Sequence, residues 1–249
     1  MFETLCLYFL IHDKIYAPKF SDVWLWSQWP DRKGKRDTGI DIVAKFKDDD
    51  SYCAVQCKFR QNDSSISKGE IDSFMSISSK NFYSLRIIFA LTDDFNDNAK
   101  DTLTDQNPPV KIFTLHELQA SSIDWNEFRF NDINHVRYNI KTLLPHQTDA
   151  VNDVLNGLEH HDRGKLIMAC GTGKTFTSLK IAERYAGKGG NILVLVPSIS
   201  LLSQSVTSWN YDHDDNIPLI SLPICSDLTA GYDPEDLRPE DNNTYNECK

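Results

Sequence analysis

The sequence predicts an α/β protein with two units, a mixed β-sheet unit followed by a phosphate-binding unit. Over the first 120 residues, short apolar runs alternate with segments of helical spacing, which is typical of a sheet covered by helices. Residues 38–46 and 52–59 flank a polar turn at 47–51, and this spacing predicts a β-hairpin. Between Lys165 and Glu183, an apolar run, a glycine-rich turn and a helical segment follow one another. This order is typical of a phosphate-binding loop that follows a buried strand.

The other elements of the first unit follow from apolar periodicity and turn residues. Besides the hairpin we predict helices over 2–10, 68–79 and 96–103 and strands over 23–26, 85–91 and 110–115. The periodicity disappears after residue 120, so we expect a domain at 1–120 and a linker at 121–139.

The second unit is expected at 140–225. Pro145 suits the first turn of a helix that ends near residue 158. Apolar runs at 166–168, 192–196 and 219–224 predict strands, and helices are predicted after the glycine turn and over 200–209. Residues 226–249 are acidic and rich in Pro, Asn and Asp, and we predict that this tail is poorly ordered.

Composition restricts the class of protein. The 249 residues carry a net charge of −10, which argues against a surface that is basic overall but allows a local basic groove for nucleic acid. The six cysteines form no CxxC pair, so we expect free thiols in a reducing cytoplasm. No apolar run is long enough to span a membrane, and no membrane association is expected.

The hairpin carries residues suited to hydrolysis of a phosphodiester. Gln56 and Lys58 are two residues apart and therefore project from one face of a strand, where Asp41 of the preceding strand can join them. Asp41 would bind Mg²⁺ with help from Gln56 or the Val55 carbonyl, and Lys58 would orient the attacking water or stabilise the transition state. Spacing alone is weak, and by itself it favours a solvent-facing hairpin with no catalytic role.

A family resemblance changes that balance. The segment Gly39–Ala44 contains Asp41, and Gln56-Cys57-Lys58 begins fifteen residues after Asp41. This arrangement resembles the Mrr-like branch of the PD-(D/E)xK restriction endonucleases, in which Gln replaces the middle acid. The resemblance covers about residues 1–118. It implies a restriction-endonuclease-like mixed sheet, a Mg²⁺ site held by Asp41 and Gln56, and a supporting catalytic glutamate on the first helix, where Glu3 is the matching residue.

The glycine turn has the composition of an ATP loop. The glycines let backbone N–H groups converge on a phosphate, and the helix N-terminus favours the anion. In this prediction Lys174 reaches the β- and γ-phosphates and the Thr175 hydroxyl ligates Mg²⁺. The loop residues predicted to contact the nucleotide are Cys170, Gly171, Thr172, Gly173, Lys174 and Thr175. One departure is Met168, which stands where the strict pattern has Gly.

The second unit resembles the first RecA-like lobe of superfamily-two helicases. Pro145-His146-Gln147 is similar to the element that recognises adenine, with Gln147 as the base-reading residue. Leu144 stands where many relatives have Arg, which leaves part of that contact open. Residues 196–198, with Leu201, Leu202 and Gln204, are similar to the next motif, whose backbone contacts single-strand phosphates. A simple strand-to-helix turn is the alternative for this stretch.

The two units together resemble the helicase-like, single-polypeptide Type I restriction–modification enzymes. That resemblance implies a hydrolase that binds double-stranded DNA and ATP, and a chain that forms the front of a longer helicase and methyltransferase polypeptide. Helicase-like restriction subunits of other types are a second candidate group. They share the lobe but not always the N-terminal nuclease.

Two parts of a working ATPase are missing from the sequence. No D-E-x-[DH] box follows an apolar strand after Val196, and no second lobe with an arginine finger is present. We therefore expect negligible ATP hydrolysis by this chain alone, because such an arginine contributes about 10³–10⁵ in rate in related enzymes. Two alternatives remain open: a remnant that binds nucleotide or DNA without turnover, and a phosphate-loop protein whose hairpin is purely structural.

Overall fold

The structure is a computed structural model that describes residues 1–34, 39–59, 65–92, 94–217 and 219–225. The chain divides into two units, Met1–Asn139 and Ile140–Lys249. The acidic tail predicted at 226–249 lies outside the described residues. Among the helices of the described part, none combines the length and the apolar character that a membrane span requires.

The first unit is built on a mixed five-stranded sheet. Its strands are β1 (Phe20–Leu25), β2 (Ile42–Phe46), β3 (Tyr52–Lys58), β4 (Tyr83–Ala90) and β5 (Val110–Phe113). They lie side by side in sequence order. β1, β2 and β3 pair antiparallel, and β4 and β5 join parallel to β3. The hairpin that was predicted from the polar turn is thus confirmed, and it lies at the centre of the sheet.

Helices cover both faces of this sheet. They are α1 (Phe2–His12), α2 (Lys68–Ile77), α3 (Asp97–Leu103) and α4 (Leu115–Ala120). Because side chains alternate along a strand, Cys53 and Val55 enter the core that includes α1, whereas Ala54 enters the core beneath α2 and α3. The central strand is therefore buried on both sides, as its apolar composition requires.

The strand predicted from residue 38 begins only at Ile42. Gly39 has a φ of +84°, a backbone conformation that glycine adopts readily and that does not continue a strand. The chain therefore turns at Gly39, and its backbone pairs with the sheet from Asp41 onward.

Residues 121–139, predicted as a linker, pack against α1 within the first unit. The Tyr8 hydroxyl donates to the His135 carbonyl at 2.7 Å, and the Tyr138 hydroxyl donates to the His12 carbonyl at 2.8 Å. The side chains of Trp125 and Phe128 also pack on this core. Periodicity could not predict this segment, because its order comes from side-chain contacts with a helix more than 100 residues earlier in the chain.

The second unit contains α5 (Pro145–His160), α6 (Lys174–Ala186) and α7 (Ile199–Asp212). The strands predicted at 166–168, 192–196 and 219–224 are not formed in the described part of this unit. A strand exists only where a second backbone pairs with it, and the described residues supply no such partner for these segments. Their apolar side chains are consequently open to solvent, with Ile167 80% and Leu195 84% exposed.

Candidate functional site

Asp41 is fixed at the junction of three strands. Its backbone amide donates to the Val55 carbonyl at 2.8 Å, and its carbonyl accepts from the Trp26 amide at 2.7 Å. Its carboxylate oxygen Oδ2 accepts from the Cys57 amide at 2.6 Å. A carboxylate held by a charge-assisted hydrogen bond to a strand is well oriented. No local pattern predicted the Trp26 contact, because it depends on the pairing of β1 with β2.

Gln56 lies beside Asp41 and is almost completely buried, with 3% exposure. Its Nε2 donates to the Gly39 carbonyl at 3.0 Å, which fixes the orientation of the amide. The opposite atom, Oε1, is buried and has no hydrogen-bond partner among the described residues. Buried polar atoms are normally paired, so this oxygen is an acceptor available for a further ligand.

Alternation along the strands places the three predicted residues on one face. Val43 and Ala54 pair across β2 and β3 and belong to the same core cluster. Asp41 lies two residues before Val43 and Gln56 two residues after Ala54, so both extend that face of the sheet. Lys58 is the next residue on it, half-buried and without an ion pair to any described residue.

Glu3 occupies the first turn of α1 and is exposed. Its charge nevertheless acts on the same region as that of Asp41. Burial, the adjacent Cys6 thiol and the charges of Asp41 and Glu3 together raise the pKa of the Cys57 thiol well above its ordinary value. Cys57 therefore stays neutral at physiological pH and is unsuited to act as a nucleophile. The start of α1 lies near the end of β3, where the Phe2 and Phe59 ring centroids are 5.6 Å apart. Cys57, however, alternates with Gln56 and Lys58 and packs on the opposite face of the sheet.

The donor set suits a hard cation bound by oxygen. Among the described residues, no group of three His, Cys, Asp or Glu side chains could hold a metal ion. A cation would therefore be held by the Asp41 carboxylate and by neutral oxygens, of which Gln56 Oε1 is one. Magnesium characteristically takes one or two carboxylates and completes its shell with water and substrate phosphate. The Val55 carbonyl, also predicted to assist, already accepts from the Asp41 amide.

The predicted phosphate loop has the backbone that such a loop needs. Gly171 and Gly173 have φ of +76° and +82°, a conformation that turns successive N–H groups toward a common point. Gly173 then caps the N-terminus of α6. The Thr172 hydroxyl and the Lys174 ammonium donate to the Ala169 carbonyl at 2.7 Å and 3.0 Å. Lys174 is therefore folded back over the loop and must leave Ala169 to reach a phosphate.

The rest of the predicted nucleotide set surrounds this loop. Cys170 is exposed and Thr175 is half-buried. Gln147, predicted to read the base, is instead bonded to protein at both ends of its amide. Its Oε1 accepts from the Leu144 amide, and its Nε2 donates to the Thr172 carbonyl, both at 2.9 Å. Base recognition by Gln147 stays a prediction, and it requires exchange of at least one of these hydrogen bonds.

The predicted DNA-contacting motif leads into α7. Ser198 is the N-cap of this helix, and its hydroxyl accepts from the Leu201 amide at 3.3 Å. Pro197, Ser198 and Gln204 are exposed. The start of α7 is thus an accessible helix N-terminus, which can favour a phosphate group.

The mixed sheet of the first unit and the glycine-rich turn of the second unit are consistent with a restriction-endonuclease-like domain followed by a helicase-like region. Comparison with family models agrees with this class. A restriction endonuclease family (Mrr_cat_2) matches residues 11–135, and the family described as the Type III restriction enzyme res subunit (ResIII) matches residues 140–217. The chain therefore belongs to this restriction endonuclease family and carries a ResIII helicase-like region after the nuclease domain.

A solved structure extends the similarity across both units. The ATP-dependent Type ISP restriction-modification enzyme LlaBIII, bound to DNA, is 38% identical, with a TM-score of 0.68. The match covers 86% of this chain and 14% of the LlaBIII chain. A search of curated proteins gave no significant match.

Proposed function

We propose that the first unit is a Mg²⁺-dependent DNA endonuclease and that the second unit binds ATP and DNA, as parts of a restriction system. The observation that carries the nuclease proposal is the fixed Asp41 carboxylate beside Gln56, whose buried Oε1 has no hydrogen-bond partner within the described part of the chain. An oxygen acceptor of this kind at a carboxylate is suited to a cation. The DNA bound to LlaBIII is consistent with double-stranded DNA as the substrate.

Each residue of the first site has a separate role in this proposal. Asp41 and Gln56 hold the cation, which supplies an activated water and neutralises charge on the phosphate. Lys58, on the same face of the sheet, stabilises the charge that develops on the phosphate or orients the water. Glu3 supports the site from α1.

Removal of the metal tests the nuclease proposal. Incubation of the chain with supercoiled plasmid DNA and Mg²⁺ should give nicked or linear product, because the bound cation activates water. EDTA should abolish the product, and excess Mg²⁺ should restore it. The measurement is product formation on agarose gels. Cleavage that continues undiminished in EDTA would contradict a metal-dependent mechanism.

In the second unit, the glycine-rich loop would bind the phosphates of ATP, with Lys174 and Thr175 at the phosphate and metal positions. Turnover is a separate matter. Within the given residues no D-E-x-[DH] box follows an apolar strand after Val196, so the proposal is nucleotide binding with negligible hydrolysis by this chain alone. The exposed apolar side chains of Ile167, Leu193 and Leu195 favour burial against the remainder of a longer polypeptide.

Protection of Cys170 tests nucleotide binding. This exposed thiol immediately precedes Gly171, so a bound triphosphate should shield it. We expect Mg·ATP to slow alkylation of Cys170 by N-ethylmaleimide at least about tenfold, if the ligand is at ten times its dissociation constant or more. Peptide mass spectrometry measures the modification at this position. AMP is the matched control, since it lacks the β- and γ-phosphates, and equal rates with and without Mg·ATP would contradict binding at the loop.

A binding module without turnover is the second candidate for the whole chain. It is favoured by the side chains of Lys174 and Gln147, which both donate hydrogen bonds to loop carbonyls in place of a ligand. The two candidates differ in Mg²⁺-dependent DNA cleavage, which only the nuclease proposal predicts. Robust ATPase activity that disappears in Lys174→Ala would exclude the module without turnover.

A further inference from the structure

Trp209 connects α7 to the phosphate loop. Its indole Nε1 donates to the Thr175 carbonyl at 3.1 Å. Thr175 lies in the first turn of α6, directly after Lys174. Trp209 is near the other end of α7 from Ser198, where the helix begins. One side chain thus joins the nucleotide-facing turn to the helix whose start is the proposed DNA contact.

The C-terminal end of α7 is also fastened to its surroundings within the second unit. The Lys180 ammonium of α6 donates to the Asp212 carbonyl at 2.9 Å. The Lys141 ammonium bonds to the Asp212 carboxylate at 2.8 Å, and that side chain is 6% exposed. The Asp214 amide donates to the Glu183 carboxylate at 2.7 Å. Because these contacts hold the end of α7 on α6, a displacement at Thr175 is transmitted to α7 rather than lost in a loose contact.

We propose that Trp209 is a positioning residue that couples nucleotide occupancy of the loop to the position of α7. The inference rests on the proposed function of the second unit. A phosphate bound at the loop would contact the first turn of α6, and the Thr175 peptide in that turn carries the bond to Trp209. A ligand that shifts this peptide changes α7, and by thermodynamic reciprocity DNA on α7 changes nucleotide affinity by the same factor.

The test is a measurement of this coupling factor. The dissociation constant of a Mg²⁺-bound, non-hydrolysable ATP analogue is determined by calorimetry with and without a saturating single-stranded oligonucleotide. Wild-type protein should show a coupling of about 5- to 150-fold. Trp209→Phe keeps an aromatic ring but removes the N–H donor. We expect the coupling factor of this variant to be about fivefold smaller than that of wild type, because one hydrogen bond typically changes an equilibrium constant by about that factor.

Trp125→Phe is the matched control. Its indole N–H donates to the Leu118 carbonyl at 2.8 Å, so the same chemical change is made in the first unit. This variant should keep the wild-type coupling. If Trp209→Phe fails to fold, benzothienylalanine at this position keeps the shape of tryptophan without the N–H, and the same reduction is expected.

The outcomes separate this inference from the proposed function. Wild-type protein that binds no nucleotide refutes the proposed function of the second unit, and the inference falls with it. If both ligands bind, but the coupling factor is one or is the same in Trp209→Phe and wild type, the inference alone is wrong. A purely structural role for Trp209 would lower the melting temperature and leave the coupling factor unchanged.

Discussion

Replacement of Asp41 by Asn is expected to lower DNA cleavage by at least about 10²–10³-fold, the usual loss when one preorganised electrostatic group is removed from an active site. Asn keeps an oxygen that can accept from the Cys57 amide, which now bonds to Asp41 at 2.6 Å. It removes the charge that a cation needs. The fold should therefore persist while activity disappears. The measurements are plasmid cleavage in Mg²⁺ and thermal unfolding by circular dichroism.

Asp41→Ala extends this comparison. Alanine removes both the charge and the acceptor, so it should abolish cleavage and also lower the free energy of unfolding by about 1–3 kcal/mol, because the Cys57 amide is left unpaired. A loss of activity that is equal in Asn and Ala, with a loss of stability only in Ala, separates the catalytic role from the structural one.

Matched controls are available on the same sheet. Asp22 is an exposed carboxylate of β1. Asp22→Asn should leave cleavage within about twofold of wild type, since surface substitutions away from buried or site residues have small effects. Lys58→Ala should lower cleavage about 10²-fold. Lys45→Ala, which breaks an ion pair with the exposed Asp50, should leave cleavage unchanged. Equal activity in wild type, Asp41→Ala and Lys58→Ala would refute the nuclease proposal.

Gly173→Ala is expected to have the largest effect on the second unit. The φ of +82° disfavours any residue with a Cβ, at a cost of about 1–2 kcal/mol. The new Cβ would also lie 2.3 Å from Gln147 Nε2, so the hydrogen bond from Gln147 to the Thr172 carbonyl must break, which costs about 1 kcal/mol more. Nucleotide affinity should fall at least about tenfold because the loop loses its geometry.

Substitutions at two other glycines separate the cost of the positive φ from the cost of the clash with Gln147. Gly171 has a φ of +76°, and a Cβ there would meet no atom within 4 Å, so Gly171→Ala should cost only the conformational term, about 1–2 kcal/mol. Gly157 lies within α5, again with no neighbour within 4 Å. Gly157→Ala should stabilise that helix by about 0.5–1 kcal/mol.

Hydrogen exchange of the α6 amides, followed by mass spectrometry, ranks the stability of these variants within the second unit. The expected order from least to most protected is Gly173→Ala, Gly171→Ala, wild type and Gly157→Ala. Equal protection in Gly173→Ala and Gly171→Ala would show that the Gln147 side chain moves aside with no measurable loss of stability.

Much of the first unit could be predicted because its signals are local. The apolar alternation of β3 and the polar turn before it specified the central hairpin, and Gln56 and Lys58 share a face simply because they are two residues apart. The family of the chain could likewise be recognised from the short segments around Asp41 and Lys58. The assignment of metal and catalytic roles to these residues stays a prediction until the variants are measured.

The sequence failed where order depends on distant partners. The segment 121–139 has no period, yet Tyr8 and His12 of α1 bind it through backbone carbonyls and side-chain hydroxyls. Conversely, the apolar run 192–196 has the composition of a buried strand but forms none among the described residues. A strand is a property of a pair of backbones, so composition can indicate it but cannot supply the neighbour.

By itself, the sequence determined the glycine-rich turn at 171–173, the central hairpin and the residue types at each candidate site, because turn chemistry and side-chain period are encoded within a few consecutive residues. Only the tertiary structure decided that the Asp41 carboxylate bonds to the Cys57 amide, that Gln56 turns a buried oxygen away from Gly39, and that Trp209 reaches Thr175. Each of these contacts joins residues at least 16 positions apart, and their geometry follows from the packing of whole strands and helices rather than from any local pattern.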